Sequence, residues 1–208
     1  GPSATNIGMM GSPPGNRFPV SEQMKSTERI TRLNDDFLLY EATHPATKND
    51  IWLLPLAGGR KPVEVLRTPF NEVDASIAHD GQWIAYSSDE TGRLEVYVRA
   101  FERTSAGEVG LGGKIPVSKD GGTGPRWRRD GKELLFAGQG QNVMAVEVTT
   151  SPALRLSLPK PLFLLPPGAF QWDLSSDGKR FLTAVPMANT DSSSPITVVV
   201  NWDAALRD

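Results

Sequence analysis

A short unit of turn, strand, turn and strand recurs along this chain, and its spacing restricts the fold more than any other feature. Its clearest copy is Asp80-Gly81, Trp83 to Ser87, Asp89 to Gly92, then Leu94 to Val98. Asp-Gly makes a tight turn because glycine accepts positive φ without steric cost and aspartate bonds its own backbone. The β-branched and aromatic runs beside it read as strands. Asn34-Asp35 precedes Phe37 to Glu41 and Asp50 to Leu54, while Asp130-Gly131 precedes Glu133 to Phe136 and Asn142 to Val148. Asp177-Gly178 precedes Arg180 to Thr183 and Pro195 to Val200. The turns stand at 34, 80, 130 and 177, spacings of 46, 50 and 47 residues.

Further short segments complete each copy. Asp74 to Ile77, Gly124 to Trp127 and Gln171 to Leu174 lie before the turns, and Pro62 to Leu66, Lys114 to Val117 and Pro161 to Leu164 follow the paired strands. Four short strands in about 40–50 residues is the period of a β-propeller blade. Middle strands of a blade are covered on both faces, so they read as continuous apolar runs such as Trp83 to Tyr86 and Val198 to Val200. A β-sandwich would instead alternate cleanly, with turns every 8–12 residues or so and no superperiod. The expected fold is all-β: about four blades of four-stranded antiparallel sheet over residues 27–208. Residues 1–26 are expected to be a flexible arm that starts with a protease-cleavage remnant, Gly1-Pro2-Ser3.

Composition narrows the function classes. Twenty-two Lys and Arg against 24 Asp and Glu give a net charge of -2, which offers no electrostatic case for nucleic acid. Without cysteine there are no disulfides or thiolate metal sites, and no apolar run reaches the ~20 residues of a membrane span.

The repeat Ala78-His79-Asp80-Gly81-Gln82-Trp83-Ile84-Ala85-Tyr86-Ser87, with Glu95-Val96-Tyr97-Val98, resembles that of TolB-type propellers. Asn49 to Leu56, Gly124 to Leu134 and Ile196 to Trp202 together are similar to the C-terminal propeller of large bacterial proteins that begin with a serine/threonine kinase domain. The resemblance covers about residues 28–204 and implies a sensor or interaction domain on the periplasmic or extracellular side. Departures are Asn34-Asp35 in place of Asp-Gly, and His79 where proline is usual. Kinase motifs are missing from this chain.

Catalytic constellations are missing too. There is no Gly-x-Ser-x-Gly elbow, and the two histidines, His44 and His79, sit in or beside turns. Asp35-Asp36 and Asp89-Glu90 lack the alternating spacing of a Ca²⁺ loop and read as solvated turn carboxylates. Gly121 to Gly124 is followed by a strand rather than a phosphate-binding helix, and no cofactor is expected.

Geometry supplies the remaining candidates. The innermost strand of each blade lines the central channel, which places Glu72, Asp74, Arg126, Arg128, Gln171 and Asp173 toward its rim. The leading expectation is a non-enzymatic module that binds a protein or small molecule there. The alternative is a glycan- or lactone-cleaving propeller enzyme with Glu72, Asp74 and Asp173 as acid/base groups. Four blades leave outer apolar faces to cover, by closure of the ring with four or five blades, by Arg17 to Val20 adding a strand to the last blade, or by self-association.

Overall fold

The computed structural model describes residues 30–32, 37–44, 48–56, 61–103, 109–169, 171–175 and 178–185. These form β1 (Ile30–Arg32), β2 (Phe37–His44), β3 (Lys48–Pro55), β4 (Val63–Leu66), β5 (Glu72–Ile77), β6 (Trp83–Ser88), β7 (Glu95–Arg103) and β8 (Val109–Pro116). They continue as β9 (Gly122–Trp127), β10 (Glu133–Gly138), β11 (Asn142–Thr149), β12 (Arg155–Leu156), β13 (Lys160–Leu164), β14 (Gln171–Leu174) and β15 (Phe181–Ala184). The pairing is antiparallel throughout. Blade 1 is β1-β2-β3-β4 and blade 2 is β5-β6-β7-β8. Blade 3 is β9-β10-β11 with both β12 and β13 on β11, and blade 4 is the β14-β15 pair. The segments expected at Arg17 to Val20, Asn34-Asp35 and Pro195 to Val200 lie outside the described residues.

The expected double-sided burial is met most fully in β6, where Ile84, Ala85, Tyr86, Ser87 and Ser88 are all buried in succession. Alternate residues face alternate blades. Ile84 and Tyr86 join Leu39, Ile51, Leu53 and Tyr97 in a core between blades 1 and 2. Ala85 joins Val96, Val98, Leu134 and Phe136 in a second core between blades 2 and 3. Leu135, Val143, Trp172 and Phe181 form the third, between blades 3 and 4. Each seam thus carries its own apolar core.

The repeated turn folds as its sequence dictates. Gly81 N–H donates to the Ala78 carbonyl (2.8 Å), Gly131 to Arg128 (2.9 Å) and Gly178 to Ser175 (2.8 Å). All three glycines have φ near +70° (73°, 69° and 68°), a region that costs an L side chain about 1–2 kcal/mol. Asp80 and Asp130 Oδ1 accept from the N–H two residues on, at 2.9 and 3.0 Å, so these carboxylates shape the turn.

A second repeated irregularity lies on the innermost strands. β5 bulges between Val73 and Ser76, and β9 opposite Leu135 to Ala137. At the matching third position stand Asp74, φ 58°, and Gly124, φ 62°. The two differ in what lies above them: a Cβ on Gly124 would come within 3.1 Å of Trp172 Nε1 of blade 4. Gly81 has open space around it. Gly81→Ala therefore carries only the backbone cost, lowering Tm by roughly 2–4 °C per kcal/mol. Gly124→Ala should lower Tm further and perturb the near-ultraviolet circular dichroism of Trp172. Equal losses in the two variants would contradict the close approach of blades 3 and 4.

Candidate functional site

Register gives every blade two distinct ends. The Asp-Gly turns mark the lower end, and the upper end is where β3, β5, β7 and β9 begin. Hydrophobic side chains fill the middle, but the buried polar residues are unevenly placed. Asp50, Glu72, Ser87, Ser88, Glu95 and Ser118 all lie at or next to the upper end, and among the described residues only Arg126 is polar, buried and low.

At the seam of blades 1 and 2, Glu72 opens β5 and is 2% exposed. Its Oε1 accepts from Thr68 Oγ1 (2.6 Å) and Ser88 Oγ (3.3 Å), while Oε2 is buried with no hydrogen-bond partner. Burial pushes this carboxyl above the usual range against those two hydrogen bonds, and the charges of Asp50 and Asp89 push it further. Two residues on, Asp74 N–H donates to Glu41 Oε1 of blade 1 at 2.5 Å.

Blade 2 has a differently supported carboxylate at the same end. Glu95 Oε1 accepts from Arg93 Nε (2.7 Å) and the Gly121 N–H (2.9 Å), and Ser118 Oγ donates to Oε2. Burial alone would raise Glu95. The Ser118 hydroxyl, Arg93 and the Gly121 amide outweigh it and hold the group below its usual range. Ser118 Oγ in turn accepts from Val96 N–H at 2.8 Å, so the carboxylate fixes the crossing from β8 to β9.

Asp89 is also more than a solvated turn residue. It accepts from Asn71 N–H (2.9 Å) and Asn71 Nδ2 (2.6 Å), and Lys48 of blade 1 approaches it at 3.4 Å. The Asn71 backbone bond is the main reason its carboxyl lies below the usual range.

The lower half holds the other candidates. Ser76, Arg126 and Asp173 occupy one level, opposite Ala85, Leu135 and Leu182 of the second strands. There Arg126 Nε meets Asp173 Oδ1 at 3.4 Å, and its guanidinium lies 5.8 Å from the Trp172 ring centroid. Asp173 and Gln171 are exposed on the face of β14 opposite the buried Trp172. Arg128 lies below this level. It binds Glu133 (2.7 Å) and Asp130 (3.2 Å) and packs against the Gly178 turn of blade 4.

The structure therefore brings Arg126 and Asp173 together, with Gln171 two residues along β14, and places Glu72, Asp74 and Arg128 apart from them. Glu72 pairs with Ser88, three residues up β6 from the partner of the Arg126 level, about 10 Å at 3.3 Å per residue, and stands two blades from Asp173. A separate groove of about 500 Å³ opens between blades 2 and 3, floored by Phe136 and Met144 and walled by Val117, Ser118 and Leu158. Among the described residues no cluster of His, Cys, Asp and Glu is placed to hold a metal ion, and no helix is long and apolar enough to cross a membrane.

Asp50, Ser88, Glu95 and Ser118 escaped the sequence reading because a polar residue beginning or ending a strand looks solvated. The available signal was positional. Asp50 near the start of β3, and Glu95 and Asn142 at the start of β7 and β11, put one polar residue per copy at the same register of the third strand.

Comparison with solved structures settles the architecture. TolB from Acinetobacter baumannii superposes with a TM-score of 0.55 at 17% identity, over 79% of this chain and 39% of that one. The fold is a β-propeller. A Bacteroides uniformis protein solved as a candidate 6-phosphogluconolactonase gives a TM-score of 0.51 at 14% identity, over 76% of this chain and 48% of that one. At these identities the likeness is one of fold, and the chain spans less than half the length of either propeller. No protein-family model matches the sequence, and no curated protein matches it.

The Glu95 network has a pH signature. Because its folded carboxyl is depressed, its contribution is present above the unfolded value near 4.3 and is lost as pH falls through the lower folded value. Glu95→Gln should cost about 2 kcal/mol near neutral pH. In melts followed by circular dichroism the gap to wild type should close in acid. A gap that is constant with pH would remove the ionised carboxylate from the explanation.

Proposed function

We propose that this chain is a binding module of a larger bacterial protein, engaging a polypeptide or small polar ligand with the lower inner strands. The observation that carries this reading is the meeting of Arg126 and Asp173 at one level, with Gln171 exposed two residues along β14 on the same face as Asp173, so that a guanidinium, a carboxylate and an amide present donors and acceptors on neighbouring strands. Asp173 stands two blades from Glu72 and Asp74, at a different level, and is exposed where Glu72 is buried. That favours binding over a glycosidase pair, whose carboxyls stand about 5–9.5 Å apart. The likeness to kinase-linked propellers supports a sensor role on the extracytoplasmic side. Self-association is part of the same reading, because blade 4 presents Leu182, 44% exposed, on its outer face.

The enzymatic alternative has one observation in its favour. Glu72 is a buried acid held above the usual carboxylate range, as a proton donor in hydrolysis must be. The likeness to a candidate lactonase fits that alternative.

Two measurements separate them. The purified chain should show no turnover of 6-phosphogluconolactone or aryl glycosides above the uncatalysed rate. Turnover that disappears in Asp74→Asn would overturn the binding reading. Under that reading, Gln171→Lys should abolish retention of a partner crosslinked by wild type and leave Tm unchanged, while Asp173→Lys should abolish retention and also lower Tm, because it leaves the buried Arg126 without its carboxylate. Light scattering should give a mass above that of one chain; a strictly single-chain mass would remove self-association.

A further inference from the structure

The two best-described seams are built alike and charged differently. At the upper end of the seam between blades 2 and 3, the Glu95 network leaves both carboxylate oxygens with donors. At the seam of blades 1 and 2, Glu72 is as deeply buried, has two hydroxyl donors on Oε1 and none on Oε2. Among the described residues no cation forms an ion pair with it. The ionisable groups around it are Asp50 and Lys48 on β3, Glu41 on β2, Asp74 on its own strand, Asp89 after β6, Tyr86 on β6 and, against Tyr86, Arg99 of β7 and Glu90. Asp50 and Asp89 repel an ionised Glu72, Lys48 is engaged by Asp89, and Glu41 already accepts the Asp74 amide.

We infer that the upper end of the seam between blades 1 and 2 is a proton-operated latch, closed when Glu72 is protonated and parted when it is ionised. A neutral carboxyl removes the repulsion with Asp50 across the seam and turns Oε2 into a donor. An ionised one leaves a desolvated negative charge beside two others, and the cheapest relief is to admit water between the blades. The lower end supplies the hinge, because Arg103 of β7 stacks on the Phe37 ring of β2 at 4.3 Å. The direction follows from the raised folded value: stability contributed by Glu72 is complete below the unfolded carboxylate value and is lost as pH rises through the folded one. This inference is independent of what the module binds.

Hydrogen exchange read by mass spectrometry tests it on the purified chain, at about pH 5 and about pH 8, after correction for intrinsic rates. Peptides covering β3 and β5 should lose protection at the higher pH. Peptides covering β9 to β11 should not. Glu72→Gln should keep β3 and β5 protected at both pH values, and Asp50→Asn should shrink the pH effect. Unchanged pH dependence in Glu72→Gln would overturn the latch. So would a loss of protection at pH 8 spread equally over the seam of blades 2 and 3.

Discussion

Everything in this structure depends on sheets that are covered on both faces. A strand such as β6, with Ile84 and Tyr86 turned to one neighbour and Ala85 to the other, has no stable state as part of a single sheet. The blade must be sandwiched before its middle strands are satisfied, and the Asp-Gly turn fixes the register that aims each side chain at the correct neighbour. A slip of one residue would exchange the two cores.

This constraint explains what the sequence disclosed and what it hid. The turn positions, the continuous apolar runs and the short outer segments were readable because a blade repeats them locally. Every segment expected before and after the paired strands within the described residues is a strand. Arg126 and Asp173 were singled out as inner-strand residues, and their meeting follows from equal register. The burial of Asp50, Glu72 and Glu95 was not readable. A carboxylate at a strand terminus is exposed in an isolated hairpin and becomes enclosed only when the next blade arrives. The same is true of Gly124, whose need for a small residue is set by Trp172, 48 residues later in the chain.

Polar groups and apolar groups divide the work along each blade. The middle is apolar and interchangeable from copy to copy. The upper end carries carboxylates whose fates differ: Glu95 is matched with donors and stays ionised, Glu72 is under-supplied and resists ionisation. The lower end carries paired charges near water, where Arg128 with Glu133 and Asp130 adds little stability and mainly orders the turn. Chemistry that distinguishes one seam from the next therefore sits at the ends, and the repeat supplies a common frame between them.

The three separate apolar cores of the described residues have a mechanical consequence. Strain introduced at one seam reaches the next only by passing through the hydrogen-bonded width of a blade, so blades act as stiff plates joined by softer layers. A chain built this way can gain or lose a plate by duplication or deletion without redesign of the rest, provided the new neighbours match across their layer. The unequal spacings of the turns, 46, 50 and 47 residues, fit such a history: β6 and β10 both have six residues, while the outer strands β4 and β8 have four and eight.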